Sequence, residues 1–166
     1  MNLIAIDQSL TSSGVTVFDT YRKELLDFQI IKTTNKTKQE NFTKEERIFD
    51  IIKAIDKKVK QYHCTFLALE GLSLKNRNSI SARDLAGLYY GILLYCLNNN
   101  IQYYIVAPKS VKAFVQKGNM EKEEMFQLLP EEIKNKFSKS AKKSTGLYDL
   151  TDSYFIGRYV LEKMLK

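Results

Sequence analysis

Leu3-Ile4-Ala5-Ile6-Asp7-Gln8-Ser9-Leu10-Thr11-Ser12-Ser13-Gly14 is the stretch whose reading decides the fold. Four apolar residues run without a break, as in a strand covered on both faces, and the run ends on an acid. A buried strand has no use for a carboxylate at its end. Open α/β sheets, however, place their ligands at the carboxyl ends of strands. The same grammar recurs at Thr65–Leu69, an apolar run that ends on Glu70. If these two strands are parallel neighbours, both carboxylates meet at one edge of one sheet.

Around these strands the pattern is legible. Gly14–Phe18 alternates and residues 25–32 (LLDFQIIK) alternate less cleanly, which with the first run predicts three opening strands. Thr33–Asn41 is polar and reads as a loop. From Phe42 to Tyr62 the residues Ile48, Ile51, Ile52, Ile55 and Val59 recur at helical spacing. Residues 71–79 read as a loop, Ile80–Leu97 as a second and more apolar helix stopped by Asn98-Asn99-Asn100, and Ile101–Val106 as a strand ended by Pro108. Short helices are predicted near 109–116 and 121–129, a polar lysine-rich segment over 130–146, and a last helix from about Asp149. Strands followed by alternating helices and strands predict a mixed sheet flanked by helices, with an antiparallel meander feeding parallel strands. With 166 residues, two Pro and seven Gly, the expectation is a single domain over 1–166 with no flexible linker.

Composition narrows the chemistry. Hydrophobic residues at 44% and charged residues at 27% fit a globular domain with a real core. The 26 Lys+Arg against 19 Asp+Glu leave a net charge of +7, which favours a polyanionic partner. No apolar stretch is long enough to span a membrane, and the start lacks a signal peptide's basic n-region, so the expected location is the cytoplasm. The single histidine, His63, falls at a predicted helix end and leaves Ser-His or Cys-His catalysis without a base. Cys64 and Cys96 lack metal-ligand spacing and read as core residues.

A second pair of acids, Asp149 and Asp152, stands three residues apart at the start of the last helix, hence on one helical face. Capping and the helix dipole would account for Asp149 but poorly for Asp152. Four carboxylates gathered together repel one another, so some protonate or a cation binds. All-oxygen donors suit Mg²⁺, with Mn²⁺ as a substitute, and two such ions serve phosphodiester cleavage. Between Lys109 and Lys143, nine lysines and five glutamates concentrate +4 of the charge. A solvated helix face would explain any one of these lysines; their concentration favours phosphate binding.

The chain resembles the RuvC family of Holliday-junction resolvases, which have the ribonuclease-H-like fold. The likeness is carried by residues 4–14, by Leu67-Ala68-Leu69-Glu70, by Val106-Ala107-Pro108-Lys109-Ser110-Val111-Lys112 with Lys117-Gly118-Asn119-Met120-Glu121-Lys122, and by Asp149-Leu150-Thr151-Asp152-Ser153-Tyr154. These pieces appear in family order. The resemblance implies that Asp7, Glu70, Asp149 and Asp152 are metal-binding catalytic acids with two ions between them. It implies that Lys112 and Lys122 contact DNA near the cut, Lys122 steadying developing charge, with Lys109, Lys117, Lys75 and Arg77 as further DNA-binding residues. It further implies symmetric nicks in four-way or other branched DNA with 5′-phosphate ends, made by a homodimer. The predicted interface is helix 80–97, through Leu85, Leu88, Ile92, Tyr95 and the pair Gly87 and Gly91; the alternative is that this stripe packs on the sheet. Gln8-Ser9 after the first acid resembles bacteriophage members. No aromatic follows Glu70 where the family often has a junction wedge; Leu72 and Leu74 stand there instead. Two other readings are a nuclease of the same fold acting on RNA–DNA hybrid or structured RNA, and a non-catalytic module that binds branched DNA.

Overall fold

A computed structural model describes residues 1–33, 43–72, 80–115 and 120–165. Lys75, Arg77, Lys117 and the wedge candidate Leu74 lie outside the described residues. Five strands, β1 (Asn2–Asp7), β2 (Ser12–Asp19), β3 (Leu25–Lys32), β4 (Cys64–Glu70) and β5 (Gln102–Val106), form one sheet in the order β3-β2-β1-β4-β5. β1 pairs antiparallel with β2 and β2 with β3, whereas β1 with β4 and β4 with β5 run parallel. This is the mixed, helix-flanked sheet that the sequence predicts, and the two acid-ending strands are parallel neighbours.

Both faces of the sheet are covered, which is why β1 reads as a continuous apolar run. Alternate side chains leave a strand on opposite faces. Ile4 and Ile6 therefore join Leu67 and Leu69 against α1 (Lys44–Tyr62) and α2 (Ile80–Asn98). Leu3, Ala5 and Ala68 face α6 (Leu147–Lys163), with α3 (Pro108–Val115), α4 (Lys122–Gln127) and α5 (Glu131–Ser140) around it. Asp7 and Glu70 continue this second series, so both carboxylates point to the α6 side. The register Ile6↔Leu69 sets them side by side.

α1 starts where Thr43 and Glu46 form a reciprocal capping box, and it ends at His63 in the left-handed conformation (φ 50°). Ile51, Ile55 and Val59 are its buried stripe. The polar, lysine-rich segment after residue 130 contains a helix that the sequence reading did not place. Ile133 and Phe137 on α5 are buried, and Ala141 beyond its end joins them in the same core. Only two apolar residues lie within this helix, too few to reveal a period amid lysines. Pro130 at its N-cap and Glu131 and Glu132 in its first turn were the available start signals.

The expected interface stripe of α2 faces inward. Leu88 and Ile92 are fully buried, Tyr95 donates to Asp56 of α1 at 3.1 Å, and Gly87 and Gly91 sit under Ile48 and Ile52. The close approach these glycines permit is that of α1. The outward face of α2 instead carries Tyr90, Leu94 and Leu97, each about 60% exposed. Among the described residues no helix is long and apolar enough to cross a membrane.

Candidate active site

A cavity of about 210 Å³ opens where the carboxyl ends of β1 and β4 meet α3, α4 and α6, and its walls include Asp7, Glu70, Asp152, Lys112 and Lys122. Three elements distant in sequence thus contribute one acid each. β1 and β4 present theirs by strand register. α6 presents Asp152 because the helix lies close against β2. Gly14 makes that approach possible: a Cβ there would fall inside van der Waals contact of the Asp149 carbonyl and 2.8 Å from the Leu150 nitrogen. Gly14 is also the register partner of Asp7. Farther along α6, a Cβ on Gly157 would collide with the fully buried Phe18 ring.

Asp149 is not the helix cap. Gly146 (φ 107°) occupies that position and Asp149 lies in the first turn. The Ser12 hydroxyl donates to Asp149 Oδ2 at 2.5 Å, and Asp149 adds to the negative potential at Asp7 and Asp152. It is not among the cavity's walls. A second tie joins the strand ends: Gln8 Nε2 donates to the Glu70 carbonyl at 2.5 Å. Ser12 and Gln8 were not among the expected site residues, since polar residues in a turn carry no signal of which partner they will meet.

The lysines divide. Lys122 Nζ forms an ion pair with Asp152 at 3.0 Å. Lys112 lines the cavity and donates to the Met120 carbonyl at 3.1 Å, which fixes the approach to α4. Lys109 is exposed on α3 and does not line the cavity.

The electrostatics are those of an under-neutralised acid cluster. Burial pushes the Asp7 carboxyl well above its ordinary range, and Asp152, Glu70 and Asp149 push it further against the pull of Lys122. Burial likewise raises Glu70 and Asp152, each partly offset by Lys122. Burial opposes the Lys122 charge, but Asp152, Asp7 and Asp149 outweigh it and hold that ammonium more firmly protonated. Cys64 and Cys96 are in the opposite core layer, their thiols pushed up to about 12 by burial, and take no part.

A divalent cation fits this donor set by its chemistry. The polar walls offer carboxylate oxygens and no thiolate or imidazole, and their excess negative charge is what a hard cation would neutralise. Among the described residues no three of these groups stand close enough together to ligate an ion as they are. The Lys122 and Lys112 ammonium groups are the positive charges in the cavity walls.

The charge excess predicts a pH dependence of stability. Between the unfolded values of 3.8 and 4.5 and the raised folded values, the native state binds protons that the unfolded chain has released. Stability from these groups is therefore full at acid pH and is lost as pH rises. Asp27 behaves oppositely: burial is outweighed by hydrogen bonds from Lys58, Tyr62 and the Phe28 amide, its pKa is lowered, and its contribution is lost as pH falls below 3.8. In EDTA the melting temperature should peak between about pH 4 and 5 and fall toward pH 7, at about 2–4 °C per kcal/mol for a chain of this size. Millimolar Mg²⁺ should restore it at pH 7 and do little at pH 4.5. Thermal melts across pH check this; an EDTA curve that rises monotonically to pH 7 would contradict it.

The family model described as crossover junction endodeoxyribonuclease RuvC matches residues 3–141. The chain belongs to the RuvC family. Its match ends before Asp149 and Asp152, so it is the fold that brings those two acids to a RuvC-type strand edge. Thermus thermophilus RuvC superposes with a TM-score of 0.70 at 20% identity, covering 98% of this chain and 96% of that one. The same RuvC in complex with Holliday junction substrate gives 0.69 at 19% identity over 95% and 90%. The Fowlpox virus resolvase, in complex with substrate Holliday junction DNA, gives 0.58 at 16% identity over all of both chains. At these identities the likeness to the three structures is one of fold. No curated protein matches the sequence.

Proposed function

We propose that this RuvC-family chain is a divalent-metal-dependent endonuclease that resolves four-way DNA junctions by paired symmetric nicks, leaving 5′-phosphate and 3′-hydroxyl ends. One observation carries the reading: acids from β1, β4 and α6 share a cavity whose other charged walls are lysines. An acidic floor beside ammonium groups suits a phosphodiester, because the lysines hold the anion and the acids supply the chemistry. The superposed RuvC and Fowlpox complexes hold Holliday junction DNA.

Asp7, Glu70, Asp149 and Asp152 would hold the ions, Mg²⁺ with Mn²⁺ as a substitute, two to a site. Bound there, such ions acidify a water and neutralise charge on the phosphate. The chain's own residues do the positioning. Asp7, at the end of the central strand and the most desolvated of the acids, would serve as the principal ligand. Ser12 orients the Asp149 carboxylate. Gln8 holds the Glu70 backbone beside Asp7. Lys122, more than half exposed in the cavity wall, would transfer its contact from Asp152 to the incoming phosphate, where it stabilises the charge that develops in the transition state. Lys112, tethered to Met120, keeps a fixed ammonium in the wall.

Paired nicks need two sites related by the junction's own two-fold symmetry, which a symmetric dimer provides. The outward face of α2, with Tyr90, Leu94 and Leu97, is the apolar surface available for it. The test is cleavage of a mobile four-way junction with both nicks mapped, beside a fork, a flap and an RNA–DNA hybrid, in Mg²⁺ and in EDTA. Symmetric nicks on the junction alone, lost in EDTA, are expected. Preference for the hybrid would favour the ribonuclease reading, and binding without cleavage a non-catalytic one. In sedimentation the wild type should run as a dimer and Leu94→Asp as a monomer that no longer cuts both strands in concert.

A further inference from the structure

Lys122 is held at its root and free at its tip. It is the first residue of α4, and the turn it stands on is fixed by the Glu121 amide, which donates to Glu124 Oε2 at 2.8 Å. Met120 and Met125 on either side of it are buried. The Lys112 ammonium donates to the Met120 carbonyl at 3.1 Å, and Glu123 pairs with Lys143. The Lys122 side chain itself is 58% exposed, and its Nζ lies 3.0 Å from Asp152 Oδ2. Its charge acts on the whole cluster, pulling against the burial that raises Asp7, Glu70 and Asp152.

A cation in that position competes with any other. The ammonium engages one oxygen of Asp152, and two cations on one carboxylate repel each other. Among the described residues no three acids stand close enough to ligate an ion as they are, so an ion has to gather them, and Asp152 starts out engaged. Lys122 can change partners cheaply. Solvent screens an exposed ion pair, and an ammonium on a flexible four-carbon stem loses little by leaving a carboxylate for another anion. Lys112 lacks this freedom, because its ammonium is tied to a carbonyl of the chain itself.

We infer that Lys122 is a resident counter-ion that competes with the divalent ion for Asp152, and that a DNA phosphate, by drawing Lys122 away, raises the affinity of the site for that ion. The inference rests on the proposed nuclease function. By reciprocity, the ion raises the affinity for the phosphate by the same factor. Such coupling loads the site where a phosphate is already seated and leaves it poorly loaded elsewhere.

The experiment measures Mg²⁺ affinity by titration calorimetry, for the free protein and for its complex with a four-way junction, after subtraction of the junction's own Mg²⁺ uptake. At the mapped nick positions the junction carries a methylene group in place of the leaving 3′-oxygen, which keeps the phosphate charge and prevents cutting. In the wild type the junction should tighten Mg²⁺ binding about ten-fold, an ordinary coupling between two sites. Free Lys122→Gln should bind Mg²⁺ about ten-fold more tightly than free wild type and gain less than about three-fold from the junction. Lys112→Gln removes an equal charge from the same walls and should keep most of the junction-dependent gain. In ¹⁵N spectra of the free wild type, the Lys122 Nζ signal should move as Mg²⁺ is added, with the midpoint of the calorimetric titration.

An unchanged Mg²⁺ affinity in free Lys122→Gln, or a Lys122 signal that stays in place at saturating Mg²⁺, overturns the inference. Equal loss of the junction-dependent gain in both variants also overturns it, since a general positive field would then account for the effect without any exchange of partners. Should an unmodified junction stay uncut in Mg²⁺, it takes the modified one's place in the titrations. Coupling seen with that uncut junction overturns the nuclease reading and supports the exchange.

Discussion

Asp7→Asn is expected to lower junction cleavage by about 10³-fold or more, the scale associated with losing a principal electrostatic group from a preorganised site. Binding should persist or tighten, since the lysines remain and one negative charge leaves a phosphate cleft. A second effect separates this variant from a merely damaged one. The Asp7 carboxyl is held under burial and under repulsion from Asp152, Glu70 and Asp149. Asparagine keeps the shape and removes that charge, so at pH 7 in EDTA the variant should be more stable than wild type, by about 0.5–2 kcal/mol. It should also lose most of the Mg²⁺-induced rise in melting temperature. Single-turnover cleavage and paired melts measure all three. A variant that cut at nearly the wild-type rate would remove Asp7 from the centre of the site.

Gly14→Ala is expected to be nearly as damaging without touching a charge. The added methyl would occupy the space of the Asp149 carbonyl, which is backbone within a helix and cannot swing aside. α6 must lift from β2, and the core beneath its first turns opens. A destabilisation of about 3 kcal/mol follows from overpacking at a site that cannot relax. Asp149 and Asp152 ride on the displaced turn, and misplacement of catalytic groups by about 1 Å costs on the order of 10²-fold in rate. The melt and the cleavage assay should therefore fail together, whereas in Asp7→Asn they part. A Gly14→Ala protein with wild-type melting temperature and rate would show that the helix does not depend on this contact.

Much of this architecture is legible in the residues because the signals are local. An apolar run that stops on an acid declares a strand covered on both faces with a carboxylate at its end, and β1 and β4 are such strands. The isoleucine period declares α1, and the i, i+3 spacing sets Asp149 and Asp152 on one face of α6. Where the signal is sparse or concerns partners, the reading stops short. α5 hides behind its lysines. On α2 the apolar residues run nearly all round the helix, so periodicity could not choose which stripe faces the sheet, and the residues left outside are Tyr90, Leu94 and Leu97.

The residue order by itself determined at which ends of which elements the four acids stand, because strand and helix periods act over a few neighbouring residues. Only the tertiary structure decided the distances. It set Asp152 against Lys122, Ser12 against Asp149 and Gln8 against the Glu70 carbonyl. Those contacts follow from how closely α6 can approach β2 over Gly14 and how the layers close over the sheet. Such close packing is a property of surfaces meeting across the core, and no local pattern in the chain encodes it.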